Sequence, residues 1–86
     1  MPGRLTKLGR MDYSREGAML LVNFRDEAFI VDEAVVSLWH IVDGKTLLEA
    51  SRFIDAKLGH HDREVSRRTR RLVLLLKRFG LLGEGS

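Results

Sequence analysis

Apolar and polar positions recur with a helical period over one long stretch, Asp62 to Gly80, DREVSRRTRRLVLLLKRFG. At about 100° per residue, Val65, Thr69, Leu72, Val73, Leu76 and Phe79 share one arc. Arg63, Arg67, Arg70, Arg71, Lys77 and Arg78 share the other. An apolar arc this wide predicts a helix over 63–79 lying on a core. His61 or Asp62 can cap its first turn, Asp being the better cap. Glu64 suits the N-terminal dipole, and Gly80 is a natural stop. Two residues break the pattern. Leu74 projects from the middle of the basic arc, and Arg68 projects from the edge of the apolar arc beside Leu75. One reading is a solvated amphipathic helix with a stray exposed leucine. The sharper reading is a binding face on which apolar and cationic groups sit together.

Upstream, the period shortens. Residues 10–31 predict short β-strands: Arg10 to Ser14, Ala18 to Phe24 and Glu27 to Val31, with turns at Glu16-Gly17 and Arg25-Asp26. Phe29 and Val31 fall on one face of the last strand, Ala28 and Ile30 on the other. So few strands cannot close on themselves, which leaves at least one open edge. Asp32 then caps a helix over 33–42 that is apolar over most of its circumference and so belongs in the middle of a fold. Asp43-Gly44 ends it. Thr46 with Glu49 has capping-box spacing for a helix over 47–58, which Gly59 terminates. Phe53 lies off its apolar stripe, to pack on the hairpin or the N-terminal arm. The short turn to the basic helix has helix-turn-helix spacing. Residues 1–9 show no period and read as a flexible arm. The expectation is one α+β domain: an antiparallel sheet of two or three strands followed by a three-helix bundle.

Length and composition agree. With 86 residues, one domain is expected and its core is modest, so a homodimer is compatible. At 44% hydrophobic and 31% charged residues the chain reads as an ordinary soluble globule. Cysteine is absent, which excludes a disulfide scaffold, a thiolate nucleophile and cysteine-ligated zinc. No run is long and apolar enough for a signal peptide or a bilayer span, so a cytoplasmic location is the default expectation. Charge changes the picture more. Residues 62–80 hold seven basic and two acidic side chains, and the remainder holds eight basic and ten acidic. The net charge of +3 therefore comes from the last helix, which would attract an acidic peptide or a polyanion.

Candidate chemistry is sparse. The three histidines, His40, His60 and His61, lack the i, i+4 spacing of a helical metal site. They read as surface or capping groups, His40 within reach of Glu33 or Asp43. No serine has a base at a recognisable spacing, and no glycine-rich phosphate loop is present. Asp26-Glu27 and Asp32-Glu33 are turn and cap pairs. Neither an enzyme nor a metal or cofactor site is expected. Two binding devices remain: the basic helix and the open strand edge. An exposed edge can accept an extended peptide as an added strand. If Leu75 and Phe79 border a pocket beside it, Arg68 and Arg71 stand at the rim and can pair with acidic side chains.

These residues also carry a resemblance. Phe29-Ile-Val-Asp-Glu-Ala-Val-Val-Ser-Leu-Trp-His-Ile-Val-Asp43-Gly44 resembles the PqqD-like proteins, in which an extended segment leads into an Asn or Asp cap, an apolar helix and a terminal Asp-Gly. Lys45-Thr46-Leu47-Leu48-Glu49-Ala50 is similar to their threonine-capped second helix. Asp62 through Phe79-Gly80-Leu81-Leu82 is similar to their third helix and Gly-Leu-Leu ending. The likeness covers about residues 10–82 and rests on order and spacing, not on one motif. The cap here is Asp32 where Asn is common, and the third helix is richer in arginine.

The resemblance implies a peptide chaperone of the kind called a RiPP recognition element, as in biosynthesis of the pyrroloquinoline-quinone type. Such a domain is winged-helix-like and binds no metal or cofactor itself. It holds the leader segment of a ribosomally made precursor peptide and presents it to a modifying enzyme, often a radical S-adenosylmethionine enzyme. The leader adds as a strand between the third strand and the third helix. Carried onto this chain, the implied peptide-binding residues are Glu27, Ala28, Phe29, Ile30 and Val31 with Arg68, Arg71, Leu72, Leu75 and Phe79. The alternative is a winged-helix DNA-binding regulator, its last helix in the major groove and Arg67, Arg70, Arg71, Lys77 and Arg78 on phosphates or guanine edges. Two features weigh against it: no wing is read after the helix, and the rest of the chain is net acidic.

Overall fold

The computed structural model describes residues 3–58 and 63–85, for 58 and 63–66 the backbone alone. The expectations placed on Gly59, His60, His61 and Asp62, including a turn there, and on the side chains of Glu64 and Val65 lie outside the described residues.

Eight elements follow in order: β1 Arg4–Lys7, β2 Arg10–Tyr13, β3 Met19–Val22, β4 Ala28–Ile30, α1 Glu33–Ile41, α2 Leu47–Leu58, α3 Arg63–Arg78 and β5 Leu82–Gly85. They make a small α+β domain with two antiparallel sheets, β1-β5 and β2-β3-β4, and three helices.

Both hairpins of the larger sheet turn through the same device. Gly17 N donates to Ser14 O at 3.0 Å and Ser14 N to Ala18 O at 2.8 Å. Asp26 N donates to Asn23 O at 3.1 Å and Asn23 N to Glu27 O at 3.0 Å. Each is a three-residue loop that closes on a left-handed residue. Gly17 adopts φ +87° at no steric cost, whereas Asp26 adopts φ 60° with a side chain. The register sets Met11 opposite Leu21 and Leu21 opposite Phe29, so these three share the core-facing side. Ile30 is on the other side and 79% exposed.

The helix ends follow local rules. Asp32 Oδ1 accepts from Val35 N at 2.9 Å and starts α1. Thr46 and Glu49 exchange both bonds of a capping box at 3.2 and 3.3 Å and start α2. At the end of α3, Leu81 N reaches Leu76 O at 2.8 Å and Gly80 N reaches Lys77 O at 3.1 Å, with Gly80 at φ +74°. This is a Schellman ending, and it presses Leu81 onto Leu76 in the core. Trp39, 2% exposed on α1, donates its indole N–H to Leu81 O at 2.7 Å.

The N-terminal segment departs from expectation. Instead of a flexible arm, Arg4–Lys7 pairs antiparallel with β5, from Arg4 opposite Gly85 to Lys7 opposite Leu82. Its other edge is held by the turn after α1: Leu5 N donates to Lys45 O at 2.7 Å and Gly44 N to Leu5 O at 2.8 Å. Leu5 is 1% exposed and part of the core. A strand therefore does follow the third helix, where none was expected, and it pairs with β1. Neither strand is visible locally, because β1 buries one leucine and β5 contains two glycines. Their pairing joins opposite ends of the chain. Two smaller expectations also change. Phe53 lies under the Lys45 and Lys57 ammonium groups rather than on the hairpin or arm. His40 Nδ1 meets Lys7 Nζ at 3.0 Å, while Asp43 accepts from Lys7 N at 2.9 Å.

Candidate functional site

The strand order leaves β4 at the margin of its sheet, with β3 on one side and no strand on the other among the described residues. Antiparallel pairing makes its peptide groups alternate in direction. Glu27 O and Val31 N both bond to the β3 side, to Asn23 N and to Met19 O, each at 3.0 Å. Ala28 and Ile30, one residue out of phase, therefore turn their N–H and C=O groups toward the open edge.

Alongside this edge runs a groove of about 500 Å³ between β4 and α3. Ala28, Phe29, Ile30 and Val31 line it from the strand, and Leu72, Leu75, Leu76 and Phe79 from the helix. Val35 of α1 and Leu81 complete it. Phe29 and Phe79 stack with centroids 4.7 Å apart and rings 22° from parallel, tying strand to helix. Leu75 and Phe79 nevertheless stay 44% and 37% exposed. Neighbouring exposed apolar groups of this kind mark an interaction surface more often than isolated ones do. Among the described residues, none of the lining side chains is ionisable. The lining residues offer apolar surface and main-chain hydrogen bonds.

The strand is held against the helix by Asn23, which is 1% exposed. Its amide N–H groups donate to Phe79 O at 2.7 Å and Glu27 Oε1 at 2.9 Å. Its carbonyl oxygen accepts from Arg25 N at 2.9 Å and Glu27 N at 3.0 Å. One side chain thereby closes the β3–β4 loop and satisfies the last turn of α3. The Asn23 amide, and after it the Arg25 guanidinium at 2.9 Å, hold the Glu27 carboxyl below its ordinary pKa.

The site residues expected from sequence divide accordingly. Ala28, Phe29, Ile30, Val31, Leu72, Leu75 and Phe79 come together in the groove. Glu27 does not line it; its carboxylate is engaged by Asn23 and Arg25. Arg68 lines a neighbouring cavity between the helices instead. Arg71 is exposed and lines neither space. It sits four residues before Leu75 on α3, on the flank of the apolar stripe. Sequence reasoning missed Val35, Leu76, Leu81 and Asn23. Leu81 was findable as the apolar residue that follows a Schellman glycine. Asn23 carried no signal beyond ending a strand.

Outside the groove, Arg67, Arg70, Arg71 and Arg78 are exposed along α3. Lys77 is paired with Glu84 at 2.9 Å. Among the described residues, no group of three or more His, Asp or Glu side chains is placed to hold a metal ion. No helix among them is long and apolar enough to cross a membrane.

The chain matches no family model, no curated protein and no solved structure. The reading of the site therefore stands on its geometry.

Proposed function

We propose that this protein binds an extended peptide by strand addition to β4, with alternate side chains of the guest seated in the groove against α3. The observation that carries this reading is the outward direction of the Ala28 and Ile30 peptide groups beside an apolar groove. Main-chain bonds to the edge would supply affinity, and the pocket at Leu72, Leu75 and Phe79 would select the side chains. Exposed Arg71 and Arg78, on the flank of that pocket, favour a guest with acidic residues. The resemblance to PqqD-like proteins supports, as guest, the leader of a ribosomally made precursor and, as recipient, a modifying enzyme, a radical S-adenosylmethionine enzyme being one candidate.

The exposed arginines of α3, with a strand following the helix, also support duplex DNA as a ligand. The two readings part on salt and on location. Isotope-labelled protein is titrated with leader peptides of precursors encoded beside its gene and, separately, with duplex DNA. Peptide addition shifts the amides of Ala28 and Ile30 with little salt dependence. Ala28→Pro, which removes an N–H unused within the sheet, abolishes binding while the fold persists. Shifts confined to the Arg67 and Arg70 face, with log K falling steeply against log salt, would establish the DNA reading instead.

A further inference from the structure

A second cavity, of about 430 Å³, opens between α1, α2 and the N-terminal half of α3. Leu72 walls both this cavity and the groove at β4. Leu72 and Phe79 are seven residues apart on α3, about 10 Å along the axis. The groove thus runs from the Phe29–Phe79 stack to Leu72, and the second cavity begins there. Leu38, Ile41 and Ile54 give it apolar walls, and Phe53, Lys57 and Arg68 stand among them. No acidic side chain is among the described lining residues. The Lys45 and Lys57 ammonium groups lie 4.9 and 5.4 Å from the Phe53 ring centroid, so the aromatic wall is itself dressed with cations. An apolar hollow framed by cations suits an apolar side chain flanked by carboxylates.

We infer that the guest peptide, on leaving the β4 edge at its Ile30 end, passes Leu72 and places an apolar residue with acidic neighbours in this second cavity. The inference rests on the strand-addition reading above. It extends the recognised segment beyond the strand and gives Lys57 a part in choosing it. A peptide that engages both spaces gains the second contact at high effective concentration, without a further bimolecular encounter.

The chain's isoleucines make the test direct, since Ile30 lies on the strand edge while Ile41 and Ile54 line the second cavity. The protein is labelled at isoleucine methyls. The probe is a synthetic peptide selected from a random display library on the wild-type protein, used whole and trimmed to the shortest piece that still moves Ile30. The whole peptide is expected to shift all three methyls with one Kd, the trimmed one Ile30 alone. Lys57→Glu should weaken the whole peptide roughly tenfold and leave the trimmed one unchanged. Ser37→Trp, which fills the cavity from α1, should do the same. Ala28→Pro should remove all shifts. If the whole peptide moves Ile30 only, and Lys57→Glu binds it as tightly as wild type, the second cavity has no such role and strand addition stands. If Ala28→Pro binds the whole peptide unchanged, strand addition fails and this inference fails with it.

Discussion

Asn23 shows how much of a binding site can hang on one buried amide. It closes a hairpin loop and donates to the carbonyl of Phe79, so one side chain ties the strand edge to the helix end. Asn23→Ala would strip the loop of its acceptor and leave the Phe79 carbonyl unpaired. We expect urea denaturation to show a loss of about 2–3 kcal/mol. An effect under about 0.5 kcal/mol, the range of an ordinary surface change, would show that the amide does not couple strand to helix. Glu49 gives a pH signature at the same scale. The Thr46 backbone N–H, then the Thr46 hydroxyl and the Arg4 guanidinium, hold its carboxyl below the ordinary value. A carboxyl depressed by folding stabilises the native state above its unfolded pKa, and that contribution is lost as pH falls through the folded one. Wild-type stability should therefore decline more steeply below the usual carboxylate range than that of Glu49→Gln. Parallel curves for the two proteins, measured as melting temperature against pH, would remove the capping box from the account.

At the scale of elements, the two hairpins solve one problem with different residues. Gly17 enters the left-handed region freely, and Asp26 enters it at a cost. The ion pair Asp26 makes with Arg10, at 3.6 Å between exposed side chains, returns little. Asp26→Gly should thus stabilise the protein by up to about 1 kcal/mol, net of the entropy a glycine adds to the unfolded chain. A lower denaturation midpoint in the variant would mean that the aspartate side chain matters beyond its φ. The helices follow their written punctuation: Asp32, the Thr46–Glu49 box and the Gly80 Schellman turn lie where the sequence places them. Gly80 also serves the site, because the turn it permits buries Leu81 and presents the Phe79 carbonyl to Asn23.

For the whole molecule, the pairing of β1 with β5 is decisive. It joins Arg4 to Gly85, buries Leu5 and Leu82, and is bonded on its other edge to the turn after α1. The ends of the chain thereby hold the frame on which α3 presents its groove. Leu5→Ala should cost about 2–4 kcal/mol as a core truncation. A flexible arm would instead tolerate the change within about 0.5 kcal/mol, and calorimetry on the single variant decides between the two.

Most of the groove was legible from period and punctuation. Alternation along 27–31 names the residues of the edge strand and the faces they share. Helical spacing puts Leu72, Leu75 and Phe79 on one stripe. Caps and glycines bound the helices. These are local properties, set by backbone sterics and by the partners that nearby side chains offer. What the fold alone decided is non-local. Pairing between the chain ends leaves no period to read when each strand buries a single residue and glycines fill the rest. The role of Asn23 depends on a carbonyl 56 residues away. Arg68 shares a stripe with Leu75, yet it faces a different cavity, because α1 and α2 pack beside its turn of the helix. A sequence states which surfaces a segment must bury; which neighbour buries them follows only from closing all those surfaces on one another at once.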